Sequence, residues 1–303
     1  MNIRFILCLL ILNFSISTYS SNKSSNMRLW YKSPAKSWMT EALPLGNGLI
    51  GAMIFGGIER EHIQFNEKSL WSGKVEELQD LNFYDRISKV QNLLLNGNIV
   101  EAHELLNDFS VPRENFGSFQ PFGDIYLDFE HNGTARNYTR DLNLEDGIAN
   151  VDYSVGDVEF HRECFVSYPD QVLVLRVSSS KKSQLNVLLS TEAAQEGSFI
   201  EVQNNDEIVQ YGKMPLSGLR YASRLKVKVE GGVLKRLKNK IQILNANSFI
   251  VYLSATTNYK MKWPKCMDDS DPIELTNKII KKAYSKNYFD LIDNHKKRLS
   301  TTI

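Results

Sequence analysis

Apolar and polar positions alternate along most of the chain between Phe119 and residue 255. Ile125, Leu127 and Phe129 alternate with more polar neighbours, which is the two-residue period of a strand with one buried face. Residues 172–175 form a continuous apolar run, which is typical of a central strand buried on both faces. Similar strand patterns occur at residues 151–155, 158–160, 185–189, 208–211, 219–229 and 249–255. Short strands separated by turn residues predict a mainly β fold, a large antiparallel sandwich.

Nearer the N-terminus, a run with one proline and two glycines at residues 43–48 precedes two more predicted strands. The proline removes a backbone donor and the glycines permit positive φ, so we expect a tightly shaped turn instead of a regular strand. Residues 49–57 are apolar and end in a glycine pair, which predicts a buried strand. Residues 61–65 alternate and predict a second strand, paired to the first through a turn at residues 58–60. After Phe129, residues 131–133 predict the turn of another hairpin.

Two helices are predicted as an insertion among the strands. The first has apolar residues at helical spacing and the stop signal Gly97; these residues are Phe83, Ile87, Val90 and Leu94. Asn98 and Glu101 resemble an N-cap and its partner, so a second short helix is expected over residues 99–106. We expect this pair to cover an edge or end of a sheet, which is a structural role.

The composition changes again near residue 262. Residues 262–271 contain a Trp-Pro pair and an acidic cluster, which indicates a linker. Asp271 before Pro272 is typical of an N-cap with proline at the first helical position, and this predicts a helix with a stripe formed by Leu275, Ile279 and Ala283. A second helix is expected from Tyr288 towards Leu299, with inward-facing residues Leu291, Ile292 and His295.

The N-terminal segment predicts export. Arg4 precedes an apolar core at residues 5–12, and small residues follow up to Ser20. This order is typical of a secretory signal peptide over residues 1–20, and the apolar core is too short to span a bilayer. We therefore expect a secreted or periplasmic protein without a membrane span.

Composition and charge then narrow the classes of partner. With 42% apolar residues the chain can bury a sizeable core, and 36 basic against 35 acidic residues create no strong field for nucleic acid. Cys164 and Cys266 follow the signal segment, and we expect two buried thiols, although one bridge is an alternative. The five histidines show no metal-ligand spacing, so neither a metal nor a cofactor is predicted.

Five motifs resemble a known family when they are taken in order. L-P-L-G-N-G-L-I-G-A-M-I-F-G-G and Q-F-N-E-K-S-L-W-S-G look like the opening of the N-terminal β-domain of glycoside hydrolase family 95, the α-L-fucosidase family. Residues 120–127 are similar to its Q-P-L-G-D-L-x-L, with Phe122 in place of leucine. Residues 138–144 resemble its Y-x-R-x-L-D-L, and residues 169–172 resemble its P-D-Q-V turn.

The resemblance implies a β-supersandwich over residues 27–263, followed at 264–303 by a linker and the start of a helical region. In that family the catalytic glutamate, aspartate and asparagines lie in an (α/α)6 barrel, which the chain does not reach. No position here matches their motifs, so no catalytic residue is expected in this chain. Local acidic pairs are better explained as a solvated strand face, a turn and the linker; these are Asp128 with Glu130, Glu145 with Asp146, and Asp268 with Asp269.

Aromatic and amide side chains are the candidates for contact with a sugar, because sugar rings stack on aromatics and their hydroxyls bind amides. These candidates are Trp30, Tyr31, Trp38, Asn47 and Trp71, with Trp30, Asn47 and Trp71 foremost. The alternative is that the tryptophans pack between domains and that Asn47 caps the glycine turn. The pattern G-x-G-x-x-G at residues 46–51 is no nucleotide site, since a glycine-ended apolar strand follows it where a helix would be needed.

The sequence therefore predicts the non-catalytic N-terminal domain of a secreted α-L-fucosidase-like hydrolase. The resemblance implies that the full-length enzyme removes terminal α-L-fucosyl residues from oligosaccharides or polysaccharides with inversion, without metal or organic cofactor. Two alternatives remain: a free-standing carbohydrate-binding sandwich, and an inert fragment with an exposed interdomain surface.

Overall fold

A computed structural model describes residues 27–73, 83–107, 117–263 and 265–300, and confirms the mainly β prediction. The described strands are, in chain order, β1 Arg28–Tyr31, β2 Leu43–Gly46, β3 Ile50–Ile54, β4 Arg60–Glu67, β5 Gly123–Phe129, β6 Ala135–Asn143, β7 Ile148–Val155, β8 Val158–Ser167, β9 Val172–Ser179, β10 Leu185–Ala193, β11 Phe199–Gln203, β12 Glu207–Lys213, β13 Arg220–Glu230, β14 Val233–Arg236, β15 Lys240–Ala246 and β16 Ser248–Thr257. The helices are α1 Phe83–Leu95, α2 Ile99–Asn107, α3 Pro272–Tyr284 and α4 Tyr288–Ser300.

The strands form two antiparallel sheets. One has nine strands in the order β1-β6-β7-β8-β9-β16-β13-β12-β11, and the other has seven in the order β14-β15-β10-β5-β4-β3-β2. The main core lies between the sheets, where inward residues such as Leu127 and Val187 meet Val151 and Leu253. The alternation predicted for β5 is present, because every second residue of that strand is buried.

The apolar run at residues 172–175 lies in β9, the middle strand of the nine-stranded sheet. Leu173 faces the main core, whereas Val174 belongs to a second apolar cluster on the outer face of this sheet. Helices α3 and α4 complete that cluster with Ile280 and Leu291. The central strand is apolar on both faces because the main core covers one face and helices α3 and α4 cover the other.

Two turn predictions, for residues 43–48 and 131–133, are wrong. Residues 43–46, expected to be part of a turn, form the edge strand β2, and Pro44 is tolerated there because an edge strand has one side without a ladder partner. The turn itself is confined to residues 47–49, between β2 and β3. Residues 131–133 do not close a hairpin either. They connect β5 in the seven-stranded sheet to β6 in the nine-stranded sheet.

The C-terminal helices α3 and α4 pack against the sandwich. The Asp271 side chain accepts a hydrogen bond from the Ile273 backbone N–H, as expected of an N-cap at this position. Lys286, between α3 and α4, binds the buried Asp170 of the P-D-Q-V turn. Both helices pack on the outer face of the nine-stranded sheet, so residues 272–300 belong to its cover. The boundary proposed at residue 263 stays a prediction.

Helices α1 and α2 form as predicted, with Gly97 between them at φ +78°. Val90 and Ala102 are buried, whereas Leu95, Ile99 and Val100 are exposed. That this pair covers a sheet edge stays a prediction. The expected signal peptide at residues 1–20 lies outside the described residues. None of the four described helices has the length and apolarity needed to cross a membrane.

Candidate functional site

Two adjoining clefts lie at one end of the sandwich, where β4 and β16 end. The larger, which we call the Trp71 cleft, has a volume of about 430 Å³ and is lined by Lys68, Trp71, Leu219, Tyr259, Lys265 and Met267, among others. The smaller, which we call the Glu67 cleft, has a volume of about 290 Å³ and lies between Glu67, Thr257 and Ile279. Lys68, Ser69 and Tyr259 line both clefts, so the two form one continuous depression.

Trp71 is held in a defined orientation and is still open to solvent. Its indole Nε1 donates a hydrogen bond to the Lys68 carbonyl oxygen at 3.1 Å. Its ring contacts Phe119 with a centroid separation of 6.0 Å, and the two residues form an isolated β-bridge. The side chain nevertheless remains 48% exposed. Trp71 therefore presents a fixed aromatic surface at the cleft.

Glu67 is a buried carboxyl group at the neighbouring cleft. Its Oε2 accepts hydrogen bonds from the Ser69 backbone N–H at 3.0 Å and from Ser69 Oγ at 2.7 Å. Ser69 Oγ also lies 2.6 Å from Thr257 Oγ1, which joins the ends of β4 and β16. Burial raises the pKa of Glu67 above its ordinary value, although the Ser69 hydrogen bonds oppose this shift. The environment thus favours the uncharged carboxyl more than water does.

Asn47 shapes the glycine turn beside these clefts. Its Oδ1 accepts hydrogen bonds from the backbone N–H groups of Leu49 and Ile50, each at 2.9 Å, and Gly48 takes φ +84°. Its Nδ2 donates to the Ser167 carbonyl oxygen at 2.9 Å, at the end of β8. The amide therefore joins the seven-stranded sheet to the nine-stranded sheet. A role for Asn47 next to a substrate stays a prediction.

The three leading candidates are not gathered in one site. Asn47 and Trp71 lie along the same end of the sandwich, but Trp30 is on the edge strand β1, opposite Asp141, and does not line either cleft. Trp30 is 61% exposed, and Lys32 Nζ lies 5.8 Å from its ring centroid. Tyr31 packs under the Arg140 guanidinium, and Trp38 is exposed.

The residues of the Y-x-R-x-L-x-L motif hold loops in place. Tyr138 donates a hydrogen bond to the Gly56 carbonyl oxygen at 2.6 Å. The buried Arg140 donates to the carbonyl oxygens of Ser33 and Glu41, each at 2.8 Å. Each bond ties the nine-stranded sheet to a segment flanking β2 and β3. The motif that carries the resemblance is therefore structural in this sandwich.

Several residues of the Trp71 cleft were not among the candidates predicted from the sequence. Lys68 stood inside the N-E-K-S-L-W-S-G motif and could have been included on that signal. Tyr259 and Lys265 come from a segment almost two hundred residues later, and no local pattern marks them. Cys266 also lines the cleft. Cys164 and Cys266, the cysteines within the described residues, are both free: Cys164 is buried as expected, but Cys266 is half-buried, which corrects the prediction of two buried thiols.

A polar group of side chains lies elsewhere, on the outer face of the nine-stranded sheet. His161 Nδ1 is 2.6 Å from Asp152 Oδ1, and its Nε2 is 3.5 Å from Glu163 Oε2. Hydrogen bonds to these two carboxylates raise the pKa of His161 to about 9. Tyr288 donates to Glu163 Oε2 at 3.0 Å, so α4 is anchored to the same group. This arrangement stabilises a positively charged imidazole.

The comparisons with known proteins agree with the fold. Residues 29–262 match the family described as glycosyl hydrolase family 65, N-terminal domain. Alpha-L-fucosidase 2 of Arabidopsis thaliana is 28% identical over 300 residues, which cover 90% of this chain and 35% of that protein. Probable alpha-fucosidase A of Aspergillus niger is 29% identical over 214 residues, which cover 67% of this chain and 26% of that protein.

A solved structure described as a putative kojibiose phosphorylase from human microbiome is similar with a TM-score of 0.54 and 12% identity. The match covers 90% of this chain and 37% of that one, and at this identity it supports the fold alone. The match spans between about a quarter and a third of the length of the curated relatives named here.

Proposed function

Because the chain belongs to the family described as glycosyl hydrolase family 65, N-terminal domain, we propose that it is the non-catalytic N-terminal part of a secreted, family-95-type α-L-fucosidase. The fucosidase part of the proposal is supported by relatives that are named α-fucosidases. The proposed whole enzyme hydrolyses terminal α-L-fucosyl residues of oligosaccharides or polysaccharides with inversion. The names of these relatives support α-fucosides as the substrate class.

At the Trp71 and Glu67 clefts, one observation supports a non-catalytic role. Glycoside hydrolysis commonly requires two carboxyl groups placed across the scissile bond. Among the described residues that line the Trp71 and Glu67 clefts, Glu67 has the only carboxyl group, and Ser69 binds its Oε2. Inversion also needs a water molecule activated by a second group. The clefts offer binding surface without this pair.

The test compares fucose release from nitrophenyl α-L-fucoside and from a fucosylated oligosaccharide by two proteins. One is the 303-residue chain, and the other is a version extended through the downstream reading frame of its gene. We expect activity only in the extended version, with the anomeric configuration of the released fucose inverted in an NMR time course. Activity in the short chain would contradict the proposal. So would a large fall in kcat for Glu67→Gln in the extended version, since it would give the cleft a catalytic carboxyl.

A further inference from the structure

The Trp71 cleft has the features of a ligand site that does not depend on catalysis. Its volume of about 430 Å³ falls within the roughly 300–1,000 Å³ of ordinary ligand pockets. Trp71 is exposed, yet its N–H is already bonded to the Lys68 carbonyl oxygen, so the ring loses little freedom when a ligand binds. Tyr259, also exposed, supplies a second aromatic ring at the same cleft. Preorganised aromatic rings suit the apolar faces of sugar rings.

The charge at the cleft is positive. Lys68 and Lys265 both line it, and neither ammonium group forms an ion pair with a carboxylate among the residues that the structure describes. Lys260 nearby does have such a partner, Asp268, at 3.8 Å. Glu67 in the adjoining cleft interacts electrostatically with Lys68, which lowers the pKa of its carboxyl group, but burial is the larger influence and raises that pKa. Two lysines are thus available at the rim for an anionic group.

We propose that the Trp71 cleft binds a short saccharide that carries a negative charge, either the carboxylate of a uronic acid or a sulfate ester. One sugar ring stacks on Trp71, and the anionic group binds Lys68 and Lys265. The site is distinct from fucosidase chemistry, because it needs no carboxyl pair and no other part of the enzyme. It would hold the chain on an acidic polysaccharide.

Calorimetric titration of the 303-residue chain tests this site with three probes: trigalacturonic acid, a sulfated κ-carrageenan tetrasaccharide and neutral cellotetraose. At low salt we expect at least one anionic probe to bind more tightly than cellotetraose, and the preference to shrink as salt screens the lysines. Which anionic probe binds decides between carboxylate and sulfate. Failure of all three probes to bind would overturn the proposal, and so would equal binding of all three.

Variants locate the binding within the chain. Trp71→Ala should weaken the preferred probe by about tenfold or more, as expected for loss of a central aromatic contact, and Trp71→Phe should restore part of it. The double variant Lys68→Ala/Lys265→Ala should keep weak binding but lose the preference for the anionic probe. Matched controls are Phe289→Ala, an exposed aromatic on α4, and Lys235→Ala/Lys238→Ala near β14, all outside the cleft. Unchanged affinity in both cleft variants, with folding verified by circular dichroism, would overturn the assignment, whatever the outcome of the fucose assay.

Discussion

Arg162 lies between the two sheets, where a charged side chain needs an opposite charge and hydrogen bonds to be stable. Its Nη1 is 2.8 Å from Glu61 Oε2, and both side chains are 1% exposed. Its other hydrogen bonds go to the carbonyl oxygens of Gly57 and Ile58 and to the Tyr153 hydroxyl. Glu61 in turn accepts from the Gly56 backbone N–H at 2.7 Å. The pair therefore fixes the turn between β3 and β4 against the opposite sheet.

Removing one charge of this pair should destabilise the fold strongly. Arg162→Met leaves the Glu61 carboxylate buried without its partner, and we expect the free energy of unfolding to fall by about 3–5 kcal/mol. Urea unfolding followed by fluorescence measures this change. The control Arg60→Ala breaks the exposed Arg60–Asp128 pair and should cost about 1 kcal/mol or less. Equal losses of unfolding free energy in the two variants would show that the buried pair stabilises the fold no more than the exposed pair does. Adding Glu61→Gln to Arg162→Met should recover part of the loss, because it removes the unpaired buried charge.

His161 makes the stability of the fold depend on pH. Its pKa is raised from 6.5 in the unfolded chain to about 9 in the fold, so its contribution is fully present below the unfolded value. The contribution is lost as the pH rises through about 9. The groups that face the imidazole are Asp152 and Glu163, and Arg176 lies next to Glu163.

We therefore expect His161→Gln to destabilise the protein more at about pH 6 than at about pH 10, because only the protonated imidazole attracts both carboxylates. Comparison of variant and parent at each pH cancels the titration of lysines and tyrosines that both share. An NMR titration of the His161 ring checks the pKa directly. A midpoint near 6.5, with a stability difference that does not change with pH, would contradict this account.

At the scale of elements, α4 stabilises the fold by covering the apolar outer face of the nine-stranded sheet. The outer face of the nine-stranded sheet carries Phe165, Val174 and Tyr252, which would be exposed without the C-terminal helices. Leu291 contacts this cluster and is fully buried. His295 fixes the same helix with a 2.7 Å contact from its Nε2 to the Asp146 carbonyl oxygen.

Leu291→Ala should therefore loosen α4 before the sandwich unfolds. Removing a buried leucine costs about 2–5 kcal/mol when the cavity does not collapse, and that loss falls on a peripheral helix. Hydrogen exchange should show faster exchange for α4 amides, with β9 still protected. Phe289→Ala is the matched control, because Phe289 is on the same helix but 72% exposed. Faster exchange in both variants, or in β9 as well, would be evidence against this local opening.

At the scale of the whole molecule, a few long-range hydrogen bonds join the two sheets in addition to the core between them. Asn47, Tyr138 and Arg140 each join a segment of one sheet to the other. The same end of the sandwich that Asn47 closes also carries the two clefts. A domain of this kind can support a binding surface without contributing catalytic groups.

Export is a prediction that belongs to the whole chain. If residues 1–20 are a signal peptide, expression of the full chain in a bacterial host should place the protein in the periplasm or medium. Mass spectrometry should then find an N-terminus near residue 21, and deletion of residues 2–20 should keep the protein in the cytoplasm. Recovery of an uncleaved cytoplasmic protein from the full chain would contradict the prediction.

The sequence by itself determined the class of the fold and most of its strands. Period-two alternation at β5 and β7 indicates one buried face, and the apolar run of β9 indicates two. Each strand position that is buried favours an apolar residue, so burial is visible in the local sequence. The helix start at Asp271 and the stop at Gly97 were also visible, since capping and positive φ depend on neighbours in the chain. Residues 43–46 were misjudged because a proline is acceptable in a strand only when that strand lies at an edge, and edge position is a property of the sheet.

Only the tertiary structure decided which residues meet. Residues 131–133 have the composition of a hairpin turn, but they cross between sheets, because β5 pairs with β4 and β10 in one sheet whereas β6 pairs with β1 and β7 in the other. The Trp71 cleft is likewise assembled from segments near residues 70, 218 and 265. Trp30 and Trp71 looked equivalent in the sequence, yet of the two only Trp71 lines the Trp71 and Glu67 clefts. The position of a surface residue depends on long-range strand pairing, which local patterns do not encode.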